Sequence, residues 1–179
     1  MSCPEVSFSE SAVEELVRRW LPGARFVNCA ARLEDGTCIG YDLQFYPATP
    51  SEYGAFLARF SSFLRDNNIQ WLGDCFDCED FAQLASALFS AWFRKNAVLK
   101  AVGRVYYVQD GSRELLGWHA YNVVLYCLEE DLARCGLHNT VLVLLEPQGP
   151  ESVIASYPYI TFSDGSYLEY ETVEVHPPG

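Results

Sequence analysis

The chain has 179 residues, half of them hydrophobic and 15% aromatic, which is enough apolar material for one substantial core. Lys and Arg number 12 against 24 Asp and Glu, for a formal net charge of −12. Without clustered cations, nucleic acid and anionic membrane are poor partners, and no apolar run approaches the roughly 18 residues of a spanning helix.

The N-terminus, Met1 to Glu10, has neither a basic nor an apolar leader region, so the expected location is cytoplasmic. Ser11 to Leu21 reads as a first helix, with Ser11 and Glu14 at capping-box spacing and Val13, Leu16, Val17 and Trp20 on one face. Pro22-Gly23 ends it. Arg25 to Leu33 and Thr37 to Tyr46 are β-rich runs flanking Glu34-Asp35-Gly36, a hairpin signal. A second helix, capped by Thr49 or Ser51, runs to about Asn67 with Phe56, Leu57, Phe60, Phe63 and Leu64 at helical spacing.

Asp77 is a good N-cap for a third helix, whose apolar run ends near Lys95. Leu84, Ala85, Leu88, Phe89 and Trp92 follow the helical period, so this helix is expected to be central and buried. Val98 to Gln109 and Leu116 to Cys127 then read as strands about Asp110-Gly111-Ser112. A short helix over Leu128 to Leu137, a strand from Asn139 to Glu146, and a hairpin of Tyr159 to Phe162 with Tyr167 to Val175 complete the pattern. The chain reads as α+β and one domain, with a core over about 71–148 and a helix–hairpin–helix extension over 1–70.

Seven cysteines, Cys3, Cys29, Cys38, Cys75, Cys78, Cys127 and Cys135, allow three disulfides and one free thiol. Cys29 with Cys38 and Cys127 with Cys135 are candidate pairs, and disulfides inside a cell would suit a thermophilic host. All seven reduced is equally compatible. Cys78 falls in the first turn of the third helix, where free N–H groups and the helix dipole favour thiolate. His119 lies in the strand segment Gly117-Trp118-His119-Ala120-Tyr121-Asn122, and Glu146 ends a very apolar strand. His138 and His176 sit in a turn and a Pro-rich tail. A thiol, an imidazole to take its proton and a carboxylate to orient the ring form a triad in chain order.

Cys78-Glu79-Asp80-Phe81-Ala82 resembles the Cys-Asp/Glu-Asp-aromatic-Ala box of bacterial transglutaminase-like cysteine peptidases. The His119 strand and Glu146-Pro147 resemble two further boxes of that family. The resemblance, over roughly Trp71 to Gln148, extends to the calcium-dependent papain-like protease domain of a mushroom agglutinin. It implies a papain-like or transglutaminase-like fold, with the nucleophile helix packed on an antiparallel sheet. It also implies a cysteine hydrolase, a peptidase or acyl transferase, acting on a peptide or protein through a thioester, with Cys78 as nucleophile, His119 as base and Glu146 as orienting acid. Tyr121 and Glu79 depart from the usual residues. Gln70 or Trp71 is the expected second oxyanion donor beside the Cys78 N–H. No cofactor is required, although Asp77, Glu79 and Asp80 form a carboxylate cluster suited to a divalent cation such as calcium.

Three other readings compete. Cys75-Phe76-Asp77-Cys78 is a Cys-x-x-Cys that could serve a dithiol redox protein, but the following strands look antiparallel. Zinc lacks a second ligand pair. A catalytically inactive binding module of the same fold is the third.

Overall fold

The computed structural model describes residues 6–29, 31–35, 38–40, 42, 44–73, 77–148, 153–156 and 158–178, with the backbone alone at 31–32, 38–39 and 153–156. Strand β1, Phe8–Ser9, runs directly into helix α1, Glu10–Trp20. Ser9, not Ser11, caps this helix, because its hydroxyl accepts the Ala12 N–H. Val13, Leu16 and Val17 are buried as the helical period requires, while Trp20 remains exposed.

The expected hairpin over 25–46 is divided into four short strands, β2 (Arg25–Phe26), β3 (Ala31–Arg32), β4 (Cys38–Ile39) and β5 (Gln44–Phe45). β3 pairs with β4, but β5 pairs with β1 and β2 leaves for the main sheet, so no continuous ribbon forms. Helix α2, Pro50–Asp66, begins with a capping box between Thr49 and Glu52, and Pro50 occupies a position where no N–H is needed. Helix α3, Cys78–Phe93, begins with a second capping box between Asp77 and Asp80. Phe81, Ala82, Ala85, Ser86 and Phe89 form its buried stripe, flanked by half-buried Leu84, Leu88 and Trp92.

Two long strands follow, β6 (Val98–Gln109) and β7 (Ser112–Cys127). Asp110 and Gly111 join them with φ of +50° and +79°, the left-handed pair that matches a tight hairpin to strand twist. The expected helix after β7 shrinks to a 3₁₀ turn at Leu132–Arg134, and the Cys127–Cys135 disulfide spans this connection. Cys29 is also disulfide-bonded, but Cys3, Cys75 and the side chain of Cys38 lie outside the described residues. The chain continues through β8 (Thr140–Glu146), β9 (Val153–Ser156), β10 (Tyr159–Thr161) and β11 (Tyr167–His176).

The seven-stranded sheet runs β10-β11-β6-β7-β8-β9, with β2 parallel to the far half of β11. β9 and β10 lie at opposite ends of that order, yet only two residues separate them in sequence. Six strands laid flat would put those ends roughly 24 Å apart, whereas the link reaches at most about 11 Å. The sheet therefore curls until its two ends meet. One hydrophobic cluster runs through the whole chain, joining Phe8, Leu16, Phe45 and Phe56 to Phe89, Leu99, Tyr121, Leu144 and Tyr170. Buried Lys95 bonds Glu52 at 2.6 Å, tying the start of α2 to the end of α3.

This organisation corrects the expected α+β, papain-like or transglutaminase-like arrangement around a central helix. The fold is mostly β. β6 and β7, at 12 and 16 residues, pair with each other and carry the ladders to β11 and β8, and the helices are set around that frame.

Gly103 is where the frame is tightest. The β11 ladder slips between Thr172 and Glu174 opposite this residue, and a Cβ there would press into the Glu171 carbonyl and lie 2.9 Å from Thr172 Cα. Neither atom belongs to a flexible side chain, so the backbone must move. Gly103→Ala is expected to cost about 1–3 kcal/mol, lowering Tm by roughly 2–4 °C per kcal/mol in a thermal melt.

Candidate functional site

Residues alternate sides along β7, so His119 and Tyr121 share one face while Ala120 and Asn122 share the other. The second face belongs to α3: buried Asn122 donates its Nδ2–H₂ group to Ala82 O, Ser86 Oγ and Leu99 O, at 3.0, 3.1 and 3.1 Å. This anchor sets the first turn of α3, and hence Cys78, beside β7. The β7–β8 ladder begins only at Asn122↔Leu145, which leaves the Ala120 N–H without a strand partner on that side. Cys78 Sγ accepts it at 3.4 Å.

On the other face, His119 Nε2 lies 2.8 Å from Glu146 Oε2. Both side chains are mostly buried. Glu146 Oε2 also accepts the Tyr170 O–H at 3.0 Å, and Oε1 accepts the Gln148 N–H at 3.3 Å. With Nε2–H directed at the carboxylate, His119 presents Nδ1 as its proton acceptor. Tyr121 stacks near the His119 ring, with centroids 6.1 Å apart. A cavity of about 410 Å³ opens here, with His119, Glu146, Gln148 and Tyr170 at its polar end and Leu116, Trp118 and Leu168 among its apolar walls. Trp118 is 61% exposed, and the Arg104 guanidinium lies over its ring.

The structure thus brings Cys78, His119 and Glu146 together around the middle of β7. Among the described residues Cys78 is the free cysteine, and Sγ makes no hydrogen bond to His119. The expected thiolate is corrected. Burial pushes the Cys78 thiol above its ordinary range; the Ala120 N–H opposes this, and the Asp77 and Glu79 carboxylates add to it. The thiol is therefore the resting form near neutral pH. Iodoacetamide labelling of Cys78 across pH is expected to reach half its maximal rate above the ordinary thiol value of about 8.5. Glu79→Gln removes a like charge and is expected to lower that midpoint; a rise would contradict the assigned cause.

The other expected site residues are placed differently. Gln70 and Trp71 are exposed, and neither is a hydrogen-bond partner of Cys78 among the described residues. Asp77 Oδ1 accepts the Glu79 N–H and Asp80 Oδ2 accepts the Asp77 N–H, both at 3.1 Å, so these carboxylates serve the helix cap. Among the described residues no three His, Cys, Asp or Glu gather to hold a metal ion. Tyr170, Trp118 and Gln148 are contributors that the sequence did not single out. Tyr170 carries no local signal, since it alternates into β11 like any core tyrosine.

Fold and site together define a mostly β domain with a side-chain cluster and an adjoining cavity on its curled sheet. A Polyporus squamosus lectin, bound to the human-type influenza-binding epitope Neu5Aca2-6Galb1-4GlcNAc, resembles it with a TM-score of 0.54 and 14% identity. The match covers 95% of this chain and 49% of the lectin chain, so this chain spans about half the length of that one. At that identity the likeness is one of fold. No protein-family model matches the chain, and no curated protein matches it.

These findings overturn the resemblance to transglutaminase-like and papain-like cysteine peptidases. They also withdraw the assignments that rested on it: peptidase or transglutaminase-like acyl transferase, thiol protease and papain-like fold. A solved structure that shares the fold is described as a lectin, and a peptide substrate finds no support in the comparisons. Among the described residues no helix is long and apolar enough to cross a membrane.

Proposed function

We propose that Cys78, His119 and Glu146 form a thiol centre that hydrolyses an amide bond through a thioester. One observation carries this reading: the His119–Glu146 bond of 2.8 Å stands one residue along β7 from the N–H that holds Cys78 Sγ. His119 Nδ1 takes the thiol proton as sulfur attacks the carbonyl carbon, and the carbonyl electron pair moves onto oxygen. Collapse expels the amine, which receives that proton from His119, and leaves an acyl thioester on Cys78. Water then attacks the thioester, giving a proton to His119, which passes it to the departing sulfur, so that a carboxylic acid is released and the thiol is restored. Glu146 holds the ring and stabilises the imidazolium in both halves. The N–H of Cys78, at the start of α3, is the oxyanion donor this chain offers. Because the resting sulfur is a thiol, proton transfer accompanies attack.

The test is acyl capture. The protein is mixed with p-nitrophenyl acetate, and peptide mapping by mass spectrometry locates the acyl group. Acylation of Cys78 that is lost in His119→Ala is the expected result. No acyl group on Cys78, or equal acylation in the variant, overturns the reading.

A second reading is favoured by the fold comparison. The cavity would bind a carbohydrate, with Trp118 as an apolar platform and Glu146, Gln148 and Tyr170 as hydroxyl partners. Calorimetric titration with Neu5Acα2-6Galβ1-4GlcNAc tests it, and heat that persists unchanged in Trp118→Ala excludes this cavity.

A further inference from the structure

We infer that Tyr170 is the positioning residue of this centre: its phenol O–H holds the Glu146 carboxylate in the orientation from which Oε2 also accepts the His119 Nε2–H. The inference rests on the reading of Cys78, His119 and Glu146 as a thiol centre. Three donors from three parts of the chain hold the two oxygens of this carboxylate. Tyr170 and His119 meet at Oε2, at 3.0 and 2.8 Å, and the Gln148 N–H meets Oε1 at 3.3 Å.

The reach of Tyr170 comes from the sheet. Its strand, β11, is three places from β8 in the strand order, a separation of about 14 Å were the sheet flat. A tyrosine side chain cannot span that. The curl brings β11 over the concave face, where the Tyr170 ring packs edge-on against Tyr121 at 4.8 Å and lies 6.3 Å from the His119 ring. Tyr170 is 2% exposed.

Burial, followed by the Glu146 carboxylate, holds this phenol well above the ordinary tyrosine range, so it remains a donor throughout the working pH range. Without it, among the described residues Glu146 keeps the backbone N–H of Gln148 besides the imidazole, and the His119 ring loses its fixed partner. The titratable groups around His119 are Glu146 on β8, Tyr170 on β11, Tyr121 on its own strand, and Cys78 at the start of α3, with Asp77 and Glu79 beside it.

Two measurements on the full chain test this. In ¹⁵N-histidine-labelled protein, exchange of the His119 Nε2–H with solvent is expected to be about tenfold or more faster in Tyr170→Phe than in wild type. Tyr121→Phe, which removes a buried hydroxyl bonded to Thr172 instead, is expected to leave it unchanged. Acylation of Cys78 by p-nitrophenyl acetate is expected to slow about ten- to hundredfold in Tyr170→Phe, in the maximal rate and not in the half-saturating concentration. Placing 3-fluorotyrosine at 170 keeps shape and donor, and is expected to restore both readouts even where the phenylalanine variant melts early. Equal Nε2–H exchange in wild type and Tyr170→Phe overturns the positioning role. Failure of wild type to acylate at all overturns the thiol centre instead, and the exchange comparison still decides what Tyr170 does.

Discussion

Cys78→Ala is expected to abolish acyl capture and amide hydrolysis outright, and His119→Ala to slow hydrolysis by about 10²–10⁴-fold, the usual worth of a positioned general base. The two differ in kind. Without sulfur there is no bond for the acyl group to enter. Without the imidazole the sulfur remains, but its proton has no acceptor, and burial disfavours losing it to water. The histidine defect is therefore expected to shrink as pH rises, because hydroxide then generates thiolate directly. Glu146→Gln is a further control, since it keeps a hydrogen-bond acceptor for His119 but removes the charge that stabilises imidazolium. Initial rates with p-nitroanilides and p-nitrophenyl esters, from pH 5 to 10, measure all three. Equal rates in wild type and Cys78→Ala would falsify the thiol reading, and the cavity would then stand as a binding site.

Asn122→Ala is expected to be the most damaging single change to stability near the site, at about 2–4 kcal/mol. Asn122 is fully buried and serves three acceptors with two amide hydrogens, two on α3 and one on β6. Truncation opens a cavity and leaves the Leu99 carbonyl and the Ser86 hydroxyl without this donor. It also loosens the start of α3, so Cys78 labelling is expected to quicken as its burial falls. Asn122→Asp is expected to be worse at neutral pH, because a carboxylate would face two carbonyl oxygens. Protonation relieves this, since the neutral acid donates where the carboxylate cannot. The pKa of the introduced carboxyl is therefore raised in the folded protein, and the variant regains stability as pH falls. Thermal melts of wild type and both variants between pH 4 and 8 check the size and the direction.

The elements that could be read from the chain are those closed by local bonds. Asp77 starts α3 as expected and Thr49, one of two candidates, starts α2, because each cap is completed three residues later by Asp80 or Glu52. Asp110-Gly111 closes β6 on β7 because left-handed φ is accessible to that pair. Cys78, His119 and Glu146 stood out because thiol, imidazole and carboxylate follow one another in triad order, each on a suitable element. Ser9 displaced Ser11 as the first cap once β1 had set where the chain entered the helix.

Order and closure of the sheet were set by pairings that no local pattern encodes. β11 joins β6 across some 60 residues, and the two-residue link between β9 and β10 then forces the curl. That curl brings Tyr170 to Glu146. Burial raises the Cys78 thiol, because desolvation depends on every element packed around the sulfur, whereas the helix start that favours thiolate is read from α3 alone. Composition and spacing pointed to α1, α2, α3, the main strands and the three side chains of the proposed centre; tertiary structure alone decided the mostly β architecture, the burial around the sulfur and the contact of Tyr170 with Glu146, since each depends on contacts between segments far apart in the chain.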